Sequence, residues 1–371
     1  MNIRLKKLTL HGFKSIRSLD SFEPAPINVL VGANGSGKSN FISFFRLVSW
    51  MIAAPGNLQV HIASMGGANA VLHDGSDRTR EIDAELQIET DRGRNDYAFR
   101  LFYAAGDTLV FAEEKYRFCP ADKSSEFRWT NLGAGHREAK LIDAAERGND
   151  TARVILSLVR KCVVYQFHNT SMTARLRGKW DGDDSRWLKE DGANLGAFLL
   201  RLRDEEPGYF HRIVETTRLV LPFFADYELA RDGFGKVLLQ WRERGSDVVF
   251  SAAQASDGML RAMALLALLL QPEKDLPGVL ILDEPELGLH PHAIGVVASL
   301  LRRASVHCQV LAASQSTAFV NQFAPEEIVV VDRKERESVF RRLDSRELED
   351  WLKDYSIAEL WEKNVFGGKP A

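Results

Sequence analysis

The chain has 371 residues, which suits one large domain with an insertion or two domains. Hydrophobic residues make up 45% and charged residues 27%, a globular composition that excludes disordered and fibrous proteins. With 48 Lys and Arg against 51 Asp and Glu, the net charge of −3 provides no overall basic field for nucleic acid or membrane.

The distribution of apolar residues and cysteines predicts a protein of the reducing cytoplasm that does not bind membranes. The apolar runs at 41–53 and 259–270 are shorter than the roughly 20 residues that a spanning helix needs. The N-terminal segment alternates apolar and polar residues, unlike a signal peptide. Cys119, Cys162 and Cys308 are far apart and have no paired metal-binding spacing.

Hydrophobic periodicity predicts strands and helices along the whole chain. In chain order, we expect strands at 3–10, 27–31, 82–88, 97–103, 108–118, 163–167, 279–282, 309–313 and 328–331. We expect helices at 41–51, 150–161, 194–224 with a break at 206–208, 259–270 and 293–303. The three strands from 82 to 118 predict an antiparallel meander, and the later alternation of strands and helices predicts a parallel sheet covered by helices.

These elements predict an α/β fold in three parts. We expect residues 1–118 to form the N-terminal part of the main α/β domain, with a Gly-rich loop and a β meander. Residues 119–236 would form a variable insertion with a small helical subdomain. Residues 237–371 would form the C-terminal part of the main domain.

The segment after the strand at 27–31 carries the most specific motif. It matches the phosphate-loop pattern at every position, with Gly32, Ala33, Asn34, Gly35, Ser36, Gly37, Lys38 and Ser39. The glycines allow backbone N–H groups to face phosphate oxygens, and the helix that starts near Lys38 adds the positive end of its dipole. Lys38 would contact the β and γ phosphates and Ser39 would hold Mg²⁺, while Asn40 extends the nucleotide-binding segment.

A second motif narrows the choice among kinases, GTPases and ATPases. The buried strand at 279–282 leads directly into Asp283 and Glu284. Asp283 can hold the Mg²⁺ shell at the end of this strand. Glu284 can act as a general base that orients and polarises the attacking water.

A third motif opens the apolar helix at 259–270. Ser256, Asp257 and Gly258 offer a hydroxyl, a carboxylate and an unobstructed backbone N–H near a helix N-terminus. In this order and spacing the chain resembles the ABC-type ATPases, and within them the subgroup of SMC, RecF and OLD-like proteins, often described as predicted AAA-type ATPases. That resemblance implies ATP and Mg²⁺ as cofactors and a signature segment that caps the γ-phosphate held by another subunit.

Two further segments resemble the same subgroup. Residues 12–15 read Gly-Phe-Lys-Ser, and the resemblance places Lys14 and Ser15 near the nucleotide base. Residues 284–291 read Glu-Pro-Glu-Leu-Gly-Leu-His-Pro, similar to the segment that passes close to its copy in a dimer. His290 and His292 could alternatively bind a metal, but no carboxylate or cysteine cluster with metal-ligand spacing accompanies them.

Two glutamines are candidates for roles that the resemblance implies. Gln315 stands where most ABC-type ATPases have a histidine that contacts the γ-phosphate. Gln can donate a hydrogen bond there but carries no positive charge, so we expect slow hydrolysis. Gln166 is the candidate for the glutamine that senses Mg²⁺ and water, with a solvated strand residue as the alternative.

The spacing of the motifs leaves no room for long coiled-coil arms between Lys38 and Asp283, and the tail after Gln315 is too short for a Toprim nuclease domain. The acidic tail residues predict a solvated face of an amphipathic helix; they are Asp344, Glu347, Glu349 and Asp350. The resemblance then implies an ATPase switch that forms head-to-tail homodimers or higher homo-oligomers. It would control a separate effector protein in an antiphage, toxin–antitoxin or DNA-repair module.

Three alternatives remain open from the sequence. The first is a RecF-like ATPase that binds DNA itself, with the phosphate contacts made by Arg175, Arg177, Lys179, Lys14 and Arg17. The second is a nucleotide-gated scaffold that sequesters a toxin without hydrolysis, which Gln315 favours. The third is the nucleotide-binding subunit of a transporter, which the segments at 12–15 and 284–291 disfavour.

Overall fold

The computed structural model describes residues 3–121 and 127–368. The strands, in chain order, are β1 Arg4–Phe13, β2 Ile16–Phe22, β3 Ile27–Val31, β4 Glu81–Thr90, β5 Gly93–Ala104, β6 Thr108–Pro120, β7 Thr130–Gly133, β8 Cys162–Tyr165, β9 Trp180–Asp181, β10 Phe224–Tyr227, β11 Lys236–Val237, β12 Gln240–Glu243, β13 Val249–Ser251, β14 Val279–Asp283, β15 Gln309–Ser314, β16 Ile328–Lys334 and β17 Glu337–Arg342.

The α-helices are α1 Lys38–Ala53, α2 Asn57–Ser64, α3 Ala68–Val71, α4 Lys140–Glu146, α5 Asp150–Val159, α6 Leu195–Glu205, α7 Pro207–Val220, α8 Asp257–Leu270, α9 Pro291–Ala304, α10 Thr317–Val320, α11 Ser345–Leu348 and α12 Ile357–Glu362. The acidic tail therefore forms a shorter helix than its pattern predicts, because only residues 345–348 are α-helical there.

A largely parallel sheet lies at the centre, with strand order β17-β16-β3-β15-β14-β8. The inner strands β3, β14 and β15 are buried along their whole length, as expected for parallel strands covered by helices on both faces. Because β3, β8, β14 and β15 all run parallel, their carboxyl ends meet at one edge of the sheet. Ligands bind at this edge in open α/β sheets.

An antiparallel sheet packs on the other side of α1, with strand order β2-β1-β4-β5-β6-β7. Helix α1 carries bulky side chains toward both sheets, and its buried residues Phe41, Phe44 and Phe45 belong to the same core as Phe13 and Phe99. The rings of Phe13 and Phe44 lie edge to face with centroids 5.8 Å apart. This aromatic packing fixes α1, and with it the phosphate loop, against the meander.

The helical pair α6 and α7 packs near α8, together with the three-stranded sheet β10-β12-β13. The predicted α/β fold with an antiparallel subdomain and a small helical insertion is confirmed. Strand β8 belongs to the sequence segment 119–236, yet it pairs with β14 in the central sheet. In the described part of the chain, no helix is both long and apolar enough to span a bilayer.

His61 in α2 is buried under conditions that oppose its protonation. Its ring stacks on Trp50 with centroids 5.3 Å apart, and its Nε2 atom is buried without a hydrogen-bond partner in the described structure. Burial, and then the nearby charges of Lys14 and Arg46, lower the pKa of His61 to about 4. The ring is therefore neutral in the folded protein at neutral pH.

We predict that His61 contributes to acid sensitivity. An unfolded histidine has a pKa of about 6.5, so between that pH and about 4 the unfolded chain binds more protons than the folded one. The stability due to neutral His61 is present above this window and is lost as the pH falls through it. Urea unfolding across the window should show a smaller loss for His61→Phe than for the wild type. Exposed His307 provides the control His307→Gln. Equal losses in His61→Phe and the wild type would contradict the prediction.

Candidate nucleotide-binding site

The phosphate loop connects β3 to α1 and depends on glycine at two positions. Gly37 precedes α1 with φ +113°, and a Cβ atom there would lie 1.9 Å from the hydroxyl oxygen of Ser338. A Cβ atom on Gly32 would lie 2.2 Å from the carbonyl oxygen of Val331. The loop is therefore pressed against β16 and β17, where only glycine fits. Asn34 and Gly35 are exposed at its tip.

Lys38 folds back over this loop. Its Nζ donates to the carbonyl oxygens of Gly32 at 2.5 Å and Ala33 at 3.0 Å, and the residue is 5% exposed. Burial lowers the pKa of Lys38, while the carboxylates of Glu284 and Asp283 oppose that shift. The ammonium thus lies between loop carbonyls and acidic side chains, where a phosphate could replace the carbonyl contacts.

A chain of hydroxyls ties Ser15 to the phosphate loop. Ser338 Oγ lies 2.7 Å from Ser15 Oγ and 2.6 Å from the carbonyl oxygen of Ser36. Asn40 Nδ2 donates to Ser15 Oγ at 2.7 Å. Lys14 precedes this contact with φ +51°, and burial followed by the charge of Arg46 lowers its pKa. Sequence patterns missed Ser338, because it comes from β17 at the far end of the chain.

Asp283 and Gln166 meet at the sheet edge. Gln166 Nε2 donates to Asp283 Oδ2 at 3.2 Å, and the backbone carbonyl of Asp283 lies 2.9 Å from His168 Nε2. Burial raises the pKa of Asp283, and the positive charges of Arg46 and Lys38 oppose that shift. The structure therefore brings together two of the residues that were predicted to bind Mg²⁺. Arg46 and His168 also lie at this site, but no sequence motif points to them.

Glu284 and Gln315 are also neighbours. Glu284 adopts φ +43°, an unusual backbone conformation for a residue other than glycine, and its N–H donates to the carbonyl of Ala313 at 2.8 Å. Gln315 Nε2 donates to Glu284 Oε1. The residue at the usual histidine position thus contacts the candidate base directly.

Glu286 is hydrogen-bonded to the turn that carries Gln315. It is 7% exposed, and its Oε1 atom accepts from Ser314 Oγ at 2.5 Å and from the N–H of Gln315 at 3.4 Å. Burial raises the pKa of Glu286. Its contacts hold the turn that presents Gln315 to Glu284.

The residues present fit a magnesium nucleotide. The Ser36 hydroxyl is buried without a partner in the described structure. Ser39 lies exposed at the start of α1, so its hydroxyl is accessible to a cation. One carboxylate combined with hydroxyl, amide and phosphate oxygens suits Mg²⁺, which uses few protein carboxylates.

The alternative metal site at His290 and His292 gains no support. His290 precedes α9 and accepts from the N–H of His292 through its own Nδ1 at 3.3 Å, as a helix cap does. Over residues 3–121 and 127–368, no group of three or more His, Cys, Asp or Glu side chains could hold a metal ion.

The signature residues begin α8 and contact a different set of groups. Ser256 Oγ accepts from the N–H of Met259 at 3.3 Å, and a Cβ on Gly258 would lie 2.3 Å from the carbonyl oxygen of Gly288. Asp257 pairs with Arg177, with a distance of 3.0 Å from Nη2 to Oδ1. Among described residues, no hydrogen bond joins residues 256–258 to the phosphate loop at 32–39.

Two arginines connect the signature helix with the segment after Gln166. Arg177 donates to the carbonyls of Thr170 at 2.8 Å, Ala252 at 2.5 Å and Ala255 at 3.0 Å. Arg261 of α8 donates in turn to the carbonyls of residues 167 and 168, at 3.2 and 3.0 Å. Both guanidinium groups donate to backbone carbonyls of loop segments, of which that of Ala252 also accepts from the N–H of Ala255.

These contacts weaken the case for the DNA-binding loop at 175–179. The side chain of Arg177 is only 7% exposed. Arg175 pairs with Asp191 at 3.0 Å and Lys179 pairs with Asp232 at 2.7 Å. The side chains of Arg175 and Lys179 remain 57% and 54% exposed, so only Arg177 is withdrawn from solvent.

We predict that Arg177→Met destabilises the protein. It would leave at least one buried carbonyl without its donor, which costs about 1–3 kcal/mol in the free energy of unfolding. The matched variant Arg175→Met removes an exposed pair with Asp191 and should cost about 0–1 kcal/mol. Urea unfolding at neutral pH measures both values. Equal losses in the two variants would contradict the buried role assigned to Arg177.

Comparison with solved structures shows the fold of the chain. The Smc head bound to the C-winged helix domain of ScpA superposes with TM-score 0.60 at 16% identity, covering 92% of this chain and 99% of the other. The Smc head with an extended coiled coil, bound to the C-terminal domain of ScpA and derived from Pyrococcus furiosus, gives TM-score 0.61 at 14% identity, covering 95% and 99%. At such identities the likeness shows the fold alone.

Sequence comparison adds a short match and a family. Urease accessory protein 2 of Cryptococcus neoformans var. grubii is 37% identical over 90 residues, which are 24% of this chain and only 7% of that protein's length. The family model described as "AAA domain, putative AbiEii toxin, Type IV TA system" matches residues 27–321, from β3 to α10. The chain therefore belongs to this family of AAA-domain ATPases and has the fold of an SMC head.

Proposed function

We propose that the chain binds and hydrolyses ATP as a switch in which two copies pair head to tail. The observation that carries the proposal is the grouping of contacts in one chain. Lys38, Asp283, Gln166, Glu284 and Gln315 are linked by hydrogen bonds or charge around one sheet edge. The signature segment 256–258 has separate contacts, which suits a role at the nucleotide of a second copy.

The roles of the residues follow from their chemistry. The N–H groups of the loop 32–37 and the Lys38 ammonium would bind the phosphates. Ser39, Asp283 and Gln166 would hold Mg²⁺, which when bound neutralises phosphate charge. Glu284 would orient and deprotonate the attacking water, and the Gln315 amide would fix that carboxylate.

The partner copy would complete the enclosure. The partner's Ser256 and the partner's Gly258 would offer a hydroxyl and an N–H to the γ-phosphate at a helix N-terminus. Because each copy would supply half of both sites, ATP would join two copies and hydrolysis would release them. The product of this cycle is a change in association.

We further propose that the switch controls a separate effector protein. The name of the matched family refers to a toxin–antitoxin system, which favours a toxin–antitoxin or antiphage module over DNA repair. The burial of Arg177 removes one of the candidate phosphate contacts, which favours a protein effector over direct DNA binding. Gln315 contacts Glu284, which supports hydrolysis over a scaffold without turnover.

We predict that Lys38→Ala weakens ATP binding and stops ATP hydrolysis. Removing the ammonium eliminates a charge-assisted contact with phosphate, which should weaken the affinity by about 10- to 100-fold and stop phosphate release. Titration with a fluorescent ATP analogue and a phosphate-release assay measure the two effects. Lys353, whose side chain is 66% exposed, provides the control Lys353→Ala. Phosphate release that persists in Lys38→Ala would contradict the assignment, and a wild type without any release would favour the scaffold alternative.

We predict that Glu284→Gln traps a pair of copies when Mg-ATP is present. The amide keeps the shape of the side chain but cannot take a proton from water, so ATP would remain bound at the interface. Light scattering should show a doubled mass with Mg-ATP and not with Mg-ADP. Adding Ser256→Arg places a bulky cation at the proposed interface and should restore the single-copy mass. A monomeric Glu284→Gln variant in saturating Mg-ATP would refute head-to-tail pairing.

A further inference from the structure

Arg46 lies on α1 two turns beyond Lys38 and faces the predicted Mg²⁺ residues. Its Nη2 donates to Oε1 of Gln166. The Gln166 amide nitrogen donates on its other side to Asp283 Oδ2 at 3.2 Å and to His168 Nδ1 at 2.9 Å. Both polar atoms of the Gln166 side chain therefore have partners, and the partner of its oxygen is Arg46.

The chemistry of these partners allows one orientation of the amide. A backbone carbonyl can only accept, so the 2.9 Å contact with the carbonyl of Asp283 requires the proton of His168 to be on Nε2. In the neutral imidazole, Nδ1 of His168 then accepts, and the amide nitrogen is its donor. A guanidinium can only donate, so the amide oxygen must face Arg46. Turning the amide over would break all three contacts.

This orientation is unsuited to binding a cation. Mg²⁺ takes oxygen ligands, and the oxygen of Gln166 is bound to Arg46 while its NH₂ group lies beside Asp283. If Gln166 contributes to the metal site, its amide must turn over or its side chain must move. Either movement requires release from Arg46.

We propose that Arg46 is a positioning residue that holds Gln166 in this non-ligating orientation and so raises the Mg²⁺ concentration needed to complete the nucleotide site. The proposal rests on the proposed function, since it requires that the chain binds a magnesium nucleotide. The contact with Arg46 opposes Mg²⁺ binding, because Mg²⁺ would have to displace a charge-assisted hydrogen bond before the Gln166 oxygen could become its ligand.

The proposal differs from simple charge repulsion between Arg46 and Mg²⁺. Repulsion would act whether or not Gln166 is present, whereas the restraint acts only through the amide. A double-mutant cycle separates the two, because an interaction between the residues makes their effects non-additive.

The experiment titrates Mg²⁺ at a fixed concentration of a fluorescent, non-hydrolysable ATP analogue and measures binding. For Arg46→Met, the Mg²⁺ concentration at half-saturation should fall by about 10-fold, the scale of one charge-assisted hydrogen bond. In a Gln166→Ala background, adding Arg46→Met should change it by less than about 2-fold. A requirement that is unchanged or raised in Arg46→Met, or an equal fall in both backgrounds, would overturn the proposal.

Circular dichroism and urea unfolding verify that each variant folds. A wild type that binds no nucleotide at any Mg²⁺ concentration would refute the proposed function itself, whereas nucleotide binding without the Arg46→Met shift would refute only the role of Arg46.

Discussion

The parallel alignment of β3, β8, β14 and β15 is the constraint on which the candidate site depends. Each strand ends at the same edge, so each delivers one functional group there: the phosphate loop, Gln166, Asp283 and the turn at 314–315. Parallel strands need long crossovers between them, and these crossovers account for most of the chain. A sheet with mixed strand directions would scatter these groups over two edges. The site is thus a consequence of topology as much as of motif.

Buried contacts around the site convert this coarse placement into defined geometry. Ser338 bridges Ser15 and the carbonyl of Ser36, which joins three distant parts of the sequence through two hydroxyls. Glu286 holds the turn before Gln315, and Gln315 holds Glu284. Such polar networks restrict side-chain orientations, since a rotated group would leave a buried partner unpaired, and in this one only Oε1 of Glu286 is paired while its buried Oε2 has no partner in the described structure. These contacts fix the turn at 314–315 and tie the phosphate loop at Ser36 to β17.

The sequence was sufficient for elements whose signal is local. The loop at 32–39 could be placed between a strand and a helix, because glycine spacing and hydrophobic periodicity act over a few residues. The sequence could not reveal the roles of Ser338, Arg46 or His168, since these roles depend on which distant groups the fold brings near them. Arg177 shows the same limit in reverse. A basic loop suggests phosphate contacts, but in the structure its guanidinium binds three carbonyls and Asp257. The sequence shows which residues are charged, but only the fold shows whether a charge is already paired within the chain.

The contacts of the segment after Gln166 link the two halves of the proposed site within one chain. Residues 167–170 accept from Arg261 of α8 and from Arg177, which also grips the carbonyls just before Ser256. Hydrogen bonds of this kind are strong only over a narrow range of distance and angle, so the segment and the signature helix cannot move independently without losing several at once. Gln166 lies at the start of this segment and is bound to Arg46. A movement of Gln166 at the candidate metal site must therefore be taken up by the backbone between residues 166 and 167 or be transmitted to α8. Transmission to α8 is favoured, because a buried carbonyl that lost its arginine donor would have no water molecule to replace it.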